Sequence, residues 1–238
     1  LSWKLRDDKD EILQSGELRK VSEFEFADIN VGKLGIGWYR MDFFDETGKS
    51  VGWTTCGVLA KLKAPTPQDS PVCMDAAIAW FARKDFDGQE RFSKLAALAG
   101  INWTRDRISL REMEKDKFEL VERSDYDASA SLQAKYGLKV LHGTPTNPRW
   151  AHDEEMDGDR HRQFQRDLRI VYKYCKLFAE RFKDTVLAWE SGNEANAHNF
   201  GAHTIDEIVT NQKAVYLGIK AGNPDAIVAG CSSGGVPS

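Results

Sequence analysis

Along the chain, apolar positions follow one rhythm up to about residue 64 and another after residue 71. In the first stretch they alternate with polar ones, as in Val21-Ser-Glu-Phe-Glu-Phe-Ala-Asp-Ile29, and two further apolar-rich runs, residues 35–44 and 51–59, flank the turn Asp45-Glu-Thr-Gly48. Period-two alternation bounded by turn residues predicts antiparallel strands. The span holds fewer strands than the seven or so of an immunoglobulin-type fold, so residues 1–64 are expected to form part of a β-sandwich domain. Ala64-Pro-Thr-Pro-Gln-Asp-Ser-Pro71 breaks both rhythms, and residues 65–71 read as a linker.

From residue 72 onward the pattern predicts strands separated by helices. Residues 72–81 open with a possible strand. A helix over 89–99 follows, with Phe92, Leu95, Ala96, Leu98 and Ala99 on one face and Gly100 closing it. Residues 101–110 read as the next strand. A helix over 124–136 begins at the cap-like Ser124-Asp-Tyr-Asp and ends at Gly137. After a strand at 138–143 and a loop rich in Pro, Trp and acidic residues, positions Leu168, Val171, Tyr172, Cys175, Phe178 and Phe182 mark an amphipathic helix over 163–183. Residues 185–189 are β-branched, aliphatic and aromatic, as in a strand buried on both faces. Thr204-Ile-Asp-Glu207 is a capping box for a helix to about residue 221, and Asn223-Pro-Asp leads into a strand at 226–231. This alternation is that of βα units on a parallel sheet, so residues 72–238 are expected to be α/β.

The 238 residues carry a net charge of -4 with no basic surplus along the chain, which argues against a nucleic-acid partner. No apolar run approaches the ~18 residues of a membrane span, and the first residues lack the apolar core of a signal peptide. Cys56, Cys73, Cys175 and Cys231 fall on separate elements without metal-ligand spacing and read as buried free thiols, a disulfide being the alternative. There is no Gly-rich phosphate loop, Ser nucleophile elbow or Cys-x-x-Cys, and no cofactor is expected. Asp153-Glu-Glu-Met-Asp-Gly158 has the outline of a calcium loop but places Phe164 where a bidentate Glu is required.

Candidate chemistry gathers where the strand at 185–189 ends in Glu190-Ser-Gly-Asn-Glu194. In parallel α/β folds the carboxyl ends of strands collect catalytic groups. A carboxyl whose pKa burial can raise serves as a proton donor, and a neighbouring amide can bind a sugar hydroxyl. Trp189-Glu-Ser-Gly-Asn-Glu194 is similar to the fourth-strand motif of clan A glycoside hydrolases, (β/α)8 TIM barrels in which the Glu of an Asn-Glu pair is the acid/base. Leu98-Ala-Gly-Ile-Asn-Trp-Thr-Arg105 resembles the second-strand pattern, Leu138-Lys-Val-Leu-His-Gly-Thr-Pro145 with Pro148-Arg-Trp-Ala151 the third, and Ala221-Gly-Asn-Pro-Asp-Ala-Ile-Val-Ala-Gly230 the run into the fifth. The resemblance covers roughly residues 71–236 and is nearest to family 39.

That resemblance implies a partial (β/α)8 TIM barrel of about five βα units after part of a β-sandwich. It implies retaining hydrolysis of an oligosaccharide or polysaccharide with Glu194 as acid/base. It places the nucleophile Glu on a seventh strand, expected beyond residue 238. A full barrel takes about 250 residues and ~170 follow the linker, so the chain reads as a fragment or one piece of a split protein. The remaining barrel segment, or another chain, is then expected to cover the open sheet. A secreted or cell-envelope location is favoured. Asn193, Arg105, His142, Trp150 and Asn196 are the expected substrate-binding residues, with Glu190 and Arg107 structural near the site. For His142 a satisfied structural role is the alternative, as is core packing for Trp103, while His198 and His203 belong to the loop after the fourth strand without a third metal ligand. Two other readings are a non-catalytic carbohydrate-binding protein and an assembly subunit with a degenerate barrel.

Overall fold

The computed structural model describes residues 1–18, 28–144, 148–151 and 164–235. The alternating run at 21–27 and the acidic turn at 153–158 therefore lie outside the described residues. The chain divides into two compact units, Leu1–Lys63 and Ala64–Ser238.

In the first unit, β1 (Ser2–Arg6), β2 (Ile12–Glu17), β3 (Gly37–Phe44) and β4 (Ser50–Val58) form one antiparallel sheet in the order β2-β1-β3-β4. Trp3, Leu5 and Tyr39 are buried on one face, with Met41 and Phe43 packed against them. The Asp45 carboxylate accepts from the backbone N–H groups of Thr47 and Lys49, each at 2.9 Å, and so builds the β3–β4 turn. Among the described residues this is a single sheet, not the two facing layers of a sandwich.

The second unit is α/β. Its strands are β5 (Cys73–Asp75), β6 (Trp103–Arg107), β9 (Lys139–Gly143), β10 (Val186–Glu190) and β11 (Ile227–Ala229), all parallel in the order β11-β10-β9-β6-β5. Between them lie α1 (Ile78–Phe81), α2 (Phe86–Leu98), α3 (Leu110–Met113), α4 (Asp125–Lys135), α5 (Leu168–Arg181) and α6 (Ile205–Gly222), and a small hairpin of β7 (Glu114–Asp116) and β8 (Glu119–Leu120). Each new strand adds to the same edge of the sheet. A doubly wound fold reverses its strand order instead, whereas an unreversed order is the one that successive βα units of a barrel follow.

The helix layer buries one face of this sheet. Trp189, Val186 and Val140 cluster with Phe178 of α5 and Phe182 at its C-cap, Tyr126 and Ala130 of α4, and Val215 and Ile219 of α6. Helices α5 and α6 touch closely because α6 offers glycines. A Cβ at Gly218 would lie 2.5 Å from the Tyr172 carbonyl oxygen and 2.8 Å from the Cys175 Cβ, and one at Gly222 would lie 2.9 Å from the Ala179 Cβ.

Several boundaries move for local reasons. Helix α2 starts at Phe86, since the Asp85 side chain accepts from the Gly88 N–H and caps it. Of the expected face Ala96 is buried, together with Gly88, Gln89 and Ser93, whereas Phe92, Leu95 and Leu98 are each more than half exposed. Residues 78–81 are helical, because the buried Asp106 carboxylate accepts from the Ala79 N–H at 2.9 Å and draws α1 against β6. Helix α5 begins at Leu168, capped by Asp167, which accepts from the Arg169 N–H. The two capping boxes stand at Ser124–Asp127 and Thr204–Glu207. Residues 68 and 70 of the proposed linker are pinned, their carbonyls accepting from Asn102 Nδ2 at 3.2 and 2.7 Å. The four cysteines are free, but only Cys175 is buried; Cys56 and Cys73 are exposed and Cys231 is half-buried.

Replacing Gly218 by alanine sets a helix-propensity gain of about 1 kcal/mol against an overpacking cost of about 1 to 3 kcal/mol. Because the obstructing atom is a backbone carbonyl that cannot rotate away, net destabilisation is expected. Urea unfolding checks it, and an unchanged or raised midpoint would show that α6 slides freely on α5.

Candidate active site

Strand parity decides which side chains meet. In the parallel register Asp75 lies beside Arg105, and Arg105 beside Leu141; one row further on, Arg107, Gly143 and Glu190 align. These residues occupy the sheet face opposite the helices. Thr104, Asp106, His142 and Trp189 occupy the helix face. Gly143 has no side chain and a Cβ there would meet nothing within 4 Å, so space remains between β6 and β10 for a long cation.

Arg105 fills it. Its Nε donates to Glu190 Oε2 at 2.5 Å, Nη2 to Asn193 Oδ1 at 2.8 Å, and Nη1 to Asp75 Oδ2 at 2.9 Å. Arg107 also grips Asp75 with both terminal nitrogens, at 2.9 and 2.7 Å. Burial works against the Arg105 charge, but Glu190 and then Asp75 outweigh it and hold the guanidinium above its ordinary pKa. Burial likewise pushes the Asp75 carboxyl up, and the Arg107 and Arg105 contacts overcome this to leave it below its usual value. The other Glu190 oxygen, Oε1, accepts from the Ser232 N–H at 3.1 Å, so both oxygens of this buried carboxylate are engaged.

Beyond β10 the chain turns sharply, and Glu194 takes a left-handed conformation with φ 49°. Its N–H donates to Ser232 Oγ at 3.2 Å, and its carbonyl accepts from the Ala197 N–H at 2.7 Å. The side chain is half-buried, and its carboxyl forms no hydrogen bond or ion pair among the described residues. A cavity of about 780 Å3 opens beside this turn, with Arg105, Arg107, Ser191, Gly192, Asn193 and Ala195 in its wall, and Trp80, Phe81, Phe164, Tyr174 and Phe200 among its aromatic lining. The residues on either side of Glu194 line that cavity; Glu194 itself does not.

Arg105, Asn193, Glu190 and Arg107 are thus brought together, with Glu194 adjoining them. Three other expected site residues sit elsewhere. His142 is 1 % exposed on the helix face, its ring 5.9 Å from Trp189 and 6.3 Å from Phe182, and burial pushes its pKa down. A substrate contact for His142 is corrected by parity, since it shares a face with Val140. Asn196 uses both ends of its amide on one residue, with Nδ2 donating to the Gly234 carbonyl at 3.3 Å and Oδ1 accepting from the Gly234 N–H at 2.8 Å; it ties two loops. Trp150 donates its Nε1–H to Glu114 at 2.9 Å, meets Phe118 edge-on at 5.3 Å and lies under the Lys117 ammonium, so it is anchored to the β7–β8 hairpin. Asp75 and Ser232 escaped the sequence reading. Each lies at or just past a strand's carboxyl end, the same positional signal that marks Glu194.

At the level of sequence, no family model and no curated protein matches the chain. Solved structures do match. A family 39 glycoside hydrolase from the gut symbiont Bacteroides cellulosilyticus superposes with a TM-score of 0.60 at 18% identity, over 95% of this chain and 44% of that one. The chain shares a fold with clan A glycoside hydrolases. A family 5, subfamily 18 structure from Streptomyces cattleya in complex with GlcNAc matches with a TM-score of 0.51 at 17% identity, over 69% of this chain and 44% of that one. A variant of that subfamily from the same organism, in complex with Manβ1-4GlcNAc, matches with a TM-score of 0.51 at 16% identity, over 67% and 44%. The chain therefore spans less than half the length of these neighbours.

Two outcomes test the clamp. Arg105→Met leaves Glu190 buried without its cation, and a loss of about 3 to 5 kcal/mol is expected in denaturant unfolding. A loss under about 1 kcal/mol would mean the Ser232 N–H suffices alone. For Asp75 the folded pKa is depressed, so its stabilisation is present above the ordinary carboxylate range and lost as pH falls through the folded value. Stability measured from about pH 6 down to about pH 2 should therefore fall less steeply in Asp75→Asn than in the parent.

Proposed function

We propose that the protein is a retaining glycoside hydrolase acting on an oligosaccharide or polysaccharide, with Glu194 as the general acid/base. On this reading the parallel sheet is the first five-stranded wall of an eight-stranded barrel, and the antiparallel sheet is one layer of a β-sandwich. The observation that carries the proposal is the pairing of an occupied amide with an unoccupied acid. Asn193 Oδ1 is fixed by Arg105, which leaves the amide nitrogen to donate outward, while the neighbouring Glu194 carboxyl has no partner among the described residues. A donor to the sugar 2-hydroxyl gains strength as the oxocarbenium-like transition state forms, and a free carboxyl beside it can protonate the departing oxygen.

The mechanism requires a second carboxylate about 5 to 5.5 Å away to attack the anomeric carbon. Glu190 is unsuited to that task, because Arg105 and the Ser232 N–H hold both of its oxygens and lower their nucleophilicity. Asp75 is similarly committed to two arginines. These carboxylates fix the cation, and the nucleophile is a separate residue. The cavity beside the turn has Asn193 in its wall and Glu194 next to it but outside its lining, and its aromatic rings offer flat apolar surfaces to the C–H faces of a sugar.

In the full-length protein, Glu194→Gln should lower kcat/KM by about 10² to 10⁴ on phenyl glycosides, whose leaving group needs a proton. Dinitrophenyl glycosides, whose leaving group departs unaided, should stay within about tenfold. Equal effects on both substrates would remove Glu194 from the role.

A further inference from the structure

Residues 231–235, shortly after β11, touch both halves of the candidate site. The Ser232 N–H closes the second oxygen of Glu190, and the Ser232 hydroxyl oxygen accepts the N–H of Glu194. The Ser232 N–H also approaches the Gly192 carbonyl at 3.3 Å, and the Ser232 hydroxyl donates to that carbonyl at 3.5 Å. Two residues on, Gly234 exchanges a pair of hydrogen bonds with the Asn196 amide. A Cβ at Gly234 would lie 3.3 Å from the Glu194 Cβ and 3.0 Å from the Ala197 Cβ, so the segment lies directly against the turn.

Glu194 adopts a backbone conformation that L side chains rarely take, with φ 49°. A non-glycine residue there costs about 1 to 3 kcal/mol and persists only where its surroundings over-determine it. The direct tethers are the Ser232 hydroxyl on its N–H and the Ala197 N–H on its carbonyl. One belongs to the turn itself, and the other is supplied from the end of a different strand.

We infer that Ser232 is a positioning residue for the proton donor: its hydroxyl holds Glu194 in the left-handed turn that aims the carboxyl, and its backbone N–H ties that turn to the Arg105–Glu190 clamp. The inference rests on the proposed acid/base role of Glu194 and adds a residue to it. Ser232→Ala removes the hydroxyl alone and keeps the N–H on Glu190, so the clamp survives and the aim of the donor is what changes. A misplacement of about 1 Å at a reacting group can cost about 10²-fold.

The test compares phenyl and dinitrophenyl glycosides of glucose, xylose, mannose and N-acetylglucosamine on the full-length protein, using the sugar the parent cleaves fastest. For Ser232→Ala, kcat/KM on the phenyl glycoside should drop about tenfold or more, while the dinitrophenyl glycoside stays within about twofold. Ser232→Thr, which keeps a hydroxyl, should restore the phenyl rate. A purely structural role would lower both rates together through the folded fraction, which a thermal melt reads separately. Equal losses on both substrates, or no loss on either, overturn the inference. Glu194→Gln is the reference: if it discriminates between leaving groups and Ser232→Ala does not, only the positioning role fails. If Glu194→Gln does not discriminate, or the parent cleaves none of the glycosides, the acid/base reading fails and takes the positioning role with it.

Discussion

One guanidinium sets the geometry of the strand ends. Arg105 is nearly buried, and a charge in that position is tolerable only when its donors are matched by acceptors. Asp75 supplies one from the end of β5, and Glu190 and Asn193 supply the others from the end of β10 and the turn after it; each acceptor is in turn fixed by the fork of the guanidinium. A planar fork with rigid N–H directions can do this where an ammonium could not. The arrangement also explains why β10 can end in a carboxylate without disorder. Glu190 would be an uncompensated buried charge alone; beside Arg105 and the Ser232 N–H it becomes the peg on which the following turn hangs.

A second buried carboxylate makes a useful contrast. Asp106 follows Arg105 directly and therefore points to the other side of the sheet, where it is fully buried among the helices. No cation meets it. It accepts instead from the N–H groups of Ala79 and Arg107 and from Gln133 Nε2, at 2.8 to 2.9 Å. Those bonds fix the start of α1 and the seat of α4, so Asp106 assembles the helix layer. Adjacent residues on one strand thus organise opposite faces, Arg105 the open one and Asp106 the packed one. Period-two geometry alone assigns these tasks.

The same geometry explains what the sequence disclosed and what it withheld. Capping boxes at Ser124 and Thr204 are local, since every participating atom lies within four residues, and they read directly as helix starts. The strand before Asn193-Glu194 was likewise legible as an apolar run ending in polar groups. His142 was misplaced although the needed information was present: it is two residues from Val140, and a valine on that face implies helices above it. Asp75 and the orientation of α2 were not readable in this way. The pull of Asp106 on residue 79 spans 27 positions, and the tethers from 232 and 234 to the Asn-Glu turn span 38 or more. No local pattern encodes such pairings. The exposed side of α2, with Phe92, Leu95 and Leu98, also looks like a buried face to any reading based on apolar spacing.

The turn at Glu194 shows how these levels balance. Its strained backbone costs on the order of 1 to 3 kcal/mol, whereas a single neutral hydrogen bond returns about 0.5 to 1.5 kcal/mol. One tether cannot hold the turn against that strain with any margin. The Ser232 hydroxyl, the Ala197 N–H and the Asn196–Gly234 pair together can. Loss of one of them should therefore leave the unit folded and let the turn relax locally, so that the first property to change is the direction of the Glu194 carboxyl. A site held by several weak bonds against a comparable strain is in this sense tuned more finely in geometry than in stability.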